Sequence, residues 1–366
     1  MKARLKGVVD RIASEREGAQ EIIVKTDDGT RKAINYTQFT GILQPGDPIT
    51  LNTWAVELEL GTGGMDFVVQ STRMPENMTP PGRIMKLRYT PWQFPVLTAG
   101  AEESPWHEQL CNFTSLASLP VVCAELHSQV PAIAASCKWQ SQGAARIVYI
   151  MTDGAALPLP YSRLVAHMRD KGLIDAVITS GQAYGGDYEA VNIFSALAIA
   201  KVVANADVIV VCQGPGNTGT RTQFGFSGIE QGVALNAVAS LEGTPIAVAR
   251  LSFADTRPRH IGISYHTLTI LSKVALCRTY VPLPRLPESQ RKVLRAALDE
   301  EGLRQKHDFI TVNAEAGLKA LKETGIPVTT MGRGIEEEES FFLAACSGGL
   351  LAGQCLEETG MSKEQL

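Results

Sequence analysis

The sequence predicts an α/β protein: a doubly wound, mostly parallel sheet flanked by helices, preceded by a small all-β barrel-like domain. Three observations predict it. Five strand-like segments, 121–126, 146–151, 175–179, 207–212 and 245–250, alternate with helical patterns, the mark of βαβ units. Each segment runs into a loop stocked with polar groups and glycine. Ahead of them, residues 1–75 carry short strand patterns broken by turn residues, which suggests a barrel of about five or six strands.

In chain order, Glu21–Thr26 and Arg31–Asn35 flank Asp27-Asp28-Gly29, a hairpin turn whose Asp and Gly supply positive φ. Pro45-Gly46-Asp47-Pro48 marks a turn before Ile49–Leu60, and Gly61-Thr62-Gly63-Gly64 separates that run from Phe67-Val68-Val69. Residues 76–116 form a Pro-rich connector. Its Trp92, Phe94 and Trp106 predict draping over a neighbouring surface, because a free linker would expose three large aromatics. The α/β domain then spans 117–366, with helices at 129–138, 160–171, 187–204, 227–241 and 264–277. A sixth strand covers 278–281. Residues 288–366 are a candidate C-terminal subdomain: helix 289–300, strand 308–312, helix 314–323, strand 327–330 and helix 338–353, extending or flanking the same sheet.

Bulk properties exclude several classes. A chain of 366 residues with 45% apolar and 20% charged residues is ordinary for globular protein, not for disorder. The formal charge of -4 argues against a nucleic-acid footprint. The longest apolar stretch, 190–212, is broken by Asn192, Lys201, Asn205 and Asp207, so no membrane span is expected. Met1-Lys2-Ala3-Arg4 leads into no apolar signal segment. The seven Cys form no C-x-x-C and sit mostly in apolar runs, which reads as reduced thiols in a cytoplasmic protein.

Ligands of open parallel sheets bind outside the carboxyl ends of the strands, so the polar loops predict one crevice there. Gly214-Pro215-Gly216-Asn217-Thr218-Gly219 is a literal G-x-G-x-x-G. Pro215 interrupts its turn, and the following helix starts only near Ser227, so a nicotinamide or flavin site is not favoured. Thr220-Arg221 stands where a Walker A loop needs Lys-Ser/Thr. A looser role survives: a loop whose N–H groups and Arg221 hold an anion. Gly225-Phe226-Ser227-Gly228 falls short of a nucleophile elbow because Ile229 replaces the last glycine. Ser227 with Glu230 reads as a capping box for the next helix.

His127, Asp153 and Asp187 follow strand ends and are the candidate catalytic acid/base groups. Asp187 is equally a helix N-cap and Asp153 equally a turn residue. Arg257 and Arg259, with Asp255, His260 and His266 near them, are candidates for binding phosphate or carboxylate. No pair of His has a metalloprotease spacing, so no metal ligand is assigned. Glu336–Glu339 complements the positive end of the last helix. Glu102, Glu103 and His107 matter only if the connector folds over the crevice.

The chain resembles a family of bacterial proteins, chiefly Gram-positive, known only as a domain of unknown function. The resemblance lies in Gly61-Thr62-Gly63-Gly64, Gly82-Arg83-Ile84-Met85-Lys86-Leu87-Arg88-Tyr89-Thr90, Leu126-His127-Ser128-Gln129, the block from Met151 to Pro158, Gly185-Gly186-Asp187, and the block from Phe226 to Gly232. It implies a cytoplasmic bacterial protein and transfers no catalytic role.

The expected function is an enzyme, a hydrolase or transferase, acting on a small anionic or nucleotide-like molecule. His127, Asp153 and Asp187 supply acid/base chemistry. Gly214, Gly216, Asn217, Thr218, Gly219, Thr220, Arg221, Arg257 and Arg259 hold the anion. No cofactor is named, and no nucleic-acid or membrane partner is expected. The rival readings are a metabolite sensor and an assembly protein whose glycine loops pack a homodimer.

Overall fold

The computed structural model describes residues 3–61, 63–75 and 79–361. Met1, Lys2, Thr62 of the Gly61–Gly64 turn, and residue 76 at the expected domain boundary lie outside the described residues. The chain divides into two compact units, Met1–Val96 and Leu97–Leu366.

The first unit is built on β1 (Arg4–Arg16), β2 (Ala19–Thr26), β3 (Gly29–Tyr36), α1 (Thr37–Thr40), β4 (Pro48–Asn52), α2 (Trp54–Glu57) and β5 (Asp66–Ser71), followed by the hairpin β6 (Ile84–Lys86) and β7 (Phe94–Val96). The five strands close in the order β1-β2-β3-β5-β4, with β3 and β5 parallel and β1 antiparallel to β4. This is a five-stranded barrel of the OB kind. Val9, Ile22, Val24, Ala33, Leu43 and Leu51 fill it. Gly29 takes the expected positive φ, +112°, in the β2–β3 turn. The Ile49–Leu60 run is a strand only to Asn52, and then coils into α2. Phe39 meets Trp92 and Phe94 edge-on, at 6.0 and 5.4 Å between ring centres, so both aromatics pack on the barrel's own chain.

The second unit runs α3 (His107–Cys111), β8 (Pro120–Cys123), α4 (Val130–Gln140), β9 (Ile147–Thr152), α5 (Arg163–Asp170), β10 (Ala176–Ser180), β11 (Tyr188–Ala190), α6 (Ile193–Val202), β12 (Val208–Gln213), α7 (Glu230–Ser240), β13 (Thr244–Ala247), β14 (Leu251–Ser252), β15 (Gly262–Ile263), α8 (Tyr265–Thr269), β16 (Tyr280–Pro284), α9 (Glu288–Glu300), α10 (Leu303–Lys306), β17 (Asp308–Val312), α11 (Glu315–Glu323) and α12 (Glu339–Met361). Eight strands form one parallel sheet, β11-β10-β9-β12-β8-β13-β16-β17. Runs such as Ile147-Val148-Tyr149-Ile150-Met151 are buried on both faces, as a sheet covered by helices requires. Val122, Tyr149 and Val210 face a layer with α4, α5, α11 and α12. Val121, Val148 and Val211 face another with α6, α7 and α9.

Several elements differ from expectation. The helix expected over 187–204 begins at Ile193, where the Asn192 side chain accepts the Ser195 N–H at 3.0 Å. Asp187 is therefore not its cap, and Tyr188–Ala190 instead adds β11 to the sheet, with Glu189 also bridging Thr98. The Ser227–Glu230 capping box does not form: Ser227 donates its hydroxyl to Asn217 Oδ1 at 2.7 Å, and Glu230 turns to Thr152. The helix over 264–277 is α8 followed by a wider turn over Ile270–Val274. Residues 327–330 form no strand, only a bridge from Thr330 to Arg333.

Candidate functional site

Chain direction reverses in the middle of the sheet. From β8 the chain moves through β9 and β10 to the β11 edge, and from β12 through β13 and β16 to the β17 edge. The strands that meet at this reversal, β9, β12, β8 and β13, open a crevice at their carboxyl ends. Glu125, Thr152 and Gln213 stand there, and a small cavity lies between them, lined also by Gly228, Glu230 and Gln231.

Glu125 is fully buried just beyond β8. Its carboxylate accepts the His266 imidazole Nδ1 at 2.9 Å and the Thr267 hydroxyl at 3.3 Å, and Arg250 stands 3.5 Å away. His266 stacks flat on Phe226, ring centres 3.9 Å apart. A Cβ at Gly228 would lie 2.5 Å from Glu125 Cγ, so glycine lets the backbone close over the carboxylate. The turn leaving β8 is shaped by Gln129, whose amide oxygen accepts the N–H groups of Glu125 and Leu126 at 3.1 and 3.0 Å.

Glu230 opens α7 and reaches across to β9. It accepts the Thr152 hydroxyl at 2.6 Å and the Gly154 N–H, and a Cβ at Gly154 would lie 2.5 Å from its carboxyl. Burial pushes this carboxyl above the usual carboxylate range, and the charge of Asp153 adds to the effect. No cation pairs with it among the described residues.

Two glutamines complete the cavity. Gln213 donates to the Glu125 carbonyl at 3.1 Å and to Asn217 Oδ1 at 3.3 Å; Gln231 donates to the Cys123 and Val248 carbonyls, both at 2.8 Å. Each amide nitrogen thus has two acceptors, while each amide oxygen is buried with no partner among the described residues.

The residues singled out by sequence are distributed more widely. Asp153 follows β9 at the crevice, exposed, and accepts the Gln182 N–H at 2.8 Å. Asp187 does not join it. It sits level with Val177 near the start of β10, where it accepts that residue's N–H at 2.7 Å and pairs with Arg169 at 2.8 Å. His127 is buried and fully engaged: Ser162 Oγ lies 2.7 Å from Nε2 and Tyr149 Oη 3.1 Å from Nδ1. The Tyr149 hydroxyl proton goes to the Cys212 and Gln213 backbone carbonyls, at 3.2 and 3.3 Å. Tyr149 therefore accepts from Nδ1–H, and Nε2 of the neutral ring is left to accept the Ser162 hydroxyl. Burial lowers His127 to a pKa of about 4, which fits a neutral ring stitching three strands together.

The glycine loop bonds to itself. Thr220 N–H donates to the Gly225 carbonyl at 2.7 Å, Gly219 bridges Phe226, and Arg221 takes a positive φ of 66° at the turn. Gly216, Asn217, Thr218 and Thr220 are exposed on this hairpin. Gly214 is there for packing: a Cβ would lie 2.6 Å from the Ala156 carbonyl. Arg257 grips Asp255 in a fork, at 2.8 and 2.6 Å, and Arg259 stands over the Tyr265 ring at 5.9 Å. His260 bonds Ser264 Oγ at 2.7 Å, and burial with nearby Arg250 lowers it to about 3. Glu338 does more than complement α12: it is buried and accepts from Ser252 and Arg333. His107 lies elsewhere, on α3, where the neighbouring Trp106 packs on Tyr188.

A larger groove of ≈ 780 Å³ opens beside β16 and β17. Its charges carry both signs, and Lys322 pairs with Glu336 at 2.7 Å, so nothing there converges on one ligand.

Fold and site together define a barrel-bearing α/β protein with a small pocket at the reversal point of its sheet, walled by Glu125, Gln213, Glu230 and Gln231. The chain belongs to the family described as protein of unknown function (DUF3866), whose model matches residues 32–349. No curated protein matches it.

Proposed function

We propose that the Leu97–Leu366 unit is an enzyme, a hydrolase or transferase of a small molecule, with Glu230 as its acid/base group and Asp153 beside it. The observation that carries this reading is the placement of Glu230. Its carboxyl stands at the sheet's reversal point, oriented by Thr152 and Gly154, partly desolvated and without a cationic partner among the described residues. A carboxyl moved toward the working pH is suited to proton transfer. His127 and Asp187 leave the proposed machinery, because one is consumed by Ser162 and Tyr149 and the other stands at the wrong end of β10. An anionic substituent would fall to Arg221 and Arg259 on the rim, since Arg257 is held by Asp255.

The test is a turnover screen of phosphate esters, nucleotides, glycosides and carboxylic esters. Glu230→Gln should lower any activity found by about 10²-fold or more while the chain still unfolds in one cooperative transition. Full activity in Glu230→Gln would overturn the assignment. A compound that raises the melting temperature without being turned over would favour the metabolite sensor instead.

A further inference from the structure

The cavity between Glu125 and Glu230 has an unusual balance of donors and acceptors. The Gln213 and Gln231 amides cannot turn over, because that would set their oxygens against the carbonyls that now receive their N–H groups. Both residues are buried, at 3% exposure, and both oxygens lack a partner among the described residues. The Thr152 hydroxyl proton is spent on Glu230. The cavity is otherwise lined mainly by apolar groups such as Ala124, Val211 and Ala234, so these two amide oxygens are the polar atoms left to be satisfied there among the described residues, in a space that takes about one water-sized body.

We infer that this cavity is a site for a single monovalent cation of water's size, potassium or ammonium, held by the Gln213 and Gln231 amide oxygens with the Glu230 carboxylate. Charge decides between a cation and a water. Glu125 has the Arg250 guanidinium 3.5 Å away, whereas Glu230 has no counter-charge among the described residues and Asp153 lies next to it. A water would satisfy both amide oxygens but leave that negative charge uncompensated in a partly desolvated place. The ligand set also selects the kind of ion. Among the described residues no group of three or more His, Cys, Asp or Glu is placed to hold a metal. Neutral carbonyl-type oxygens in place of a hydration shell suit a weakly hydrated monovalent ion. The site does not depend on the catalytic reading, since an ion can occupy it in a protein that turns nothing over.

The experiment is a thermal melt of the full chain in potassium, ammonium, lithium and choline chlorides at equal ionic strength. Potassium and ammonium should raise the melting temperature over choline by about 3–6 °C, and lithium should not. Gln213→Met and Gln231→Met should each lose that difference. If either variant fails to fold, crystals of the wild-type chain in rubidium chloride decide by themselves. An anomalous peak between the two amide oxygens supports the site. Identical melts in all four salts, or density there with no anomalous signal, would mean water only and overturn it.

Discussion

Burial keeps His127 and His260 neutral in the fold, and the acid side of the stability profile should record it. Their pKa values stand at about 4 and about 3, against about 6.5 in an unfolded chain. Below pH 6.5 the unfolded chain takes up protons that the fold refuses. Stability is thus complete above that pH and falls as pH drops toward 4, by ~1.4 kcal/mol per pH unit for each histidine. Urea unfolding between pH 7 and 5 should show this slope, and His127→Gln should remove its half. Thiol chemistry should be equally selective. Cys111 is exposed and stands 3.4 Å from His107 Nε2, whereas Cys123, Cys137, Cys212 and Cys346 are buried. Burial pushes the Cys137 and Cys346 thiols up to about 12. Iodoacetamide on the folded chain should therefore label Cys111 before any of those four, as peptide mass spectrometry would read. The site residues most visible in the sequence were those in glycine-rich loops, and those are largely self-bonded. Glu125 and Gln213 ended apolar runs and carried the one available signal, a polar residue directly after a buried strand. Nothing local separates Gln231 from an ordinary helical residue, because its partners are the Cys123 and Val248 carbonyls, far along the chain.

Elements with strong apolar periodicity were legible, and those set by contacts were not. Strands β8, β9, β10, β12 and β13 fall where continuous apolar runs predict them, and α4 and α7 follow within a few residues. β11 was hidden because three residues, Tyr188-Glu189-Ala190, gain strand character only by pairing with β10. The same shift moved Asp187 from a helix start to a strand flank. Helix α12 shows how packing overrules propensity. Gly349 lies mid-helix, where alanine would be worth ~1 kcal/mol more by propensity alone. A Cβ there would stand 2.1 Å from the Ile133 carbonyl and 2.2 Å from Ser136 Oγ on α4. The carbonyl belongs to a helix backbone that cannot yield locally, and overpacking of this kind costs about 1–3 kcal/mol or more. Gly349→Ala should accordingly destabilise the chain by about 2 kcal/mol, seen as a lower denaturation midpoint at unchanged slope.

The molecule as a whole consists of two units that each close a core of their own, the barrel interior in one and two helix-covered sheet faces in the other. A fragment of residues 97–366 should therefore fold alone, with a cooperative melt and the circular dichroism of an α/β protein. A non-cooperative melt would show that its core is incomplete. Strand order was beyond reach of the sequence, because buried parallel strands look alike and nothing local says which will be neighbours. That order carries a consequence for the making of the protein. β8 and β9 leave the ribosome one after the other, yet β12 lies between them. Neither can complete its pairing until Gln213 has been added, which at ordinary translation speeds is roughly 5–20 s after β8 is finished. During that interval the nascent chain presents two apolar strands with open edges, and it is then, rather than in the finished protein, that a chaperone has most to hold.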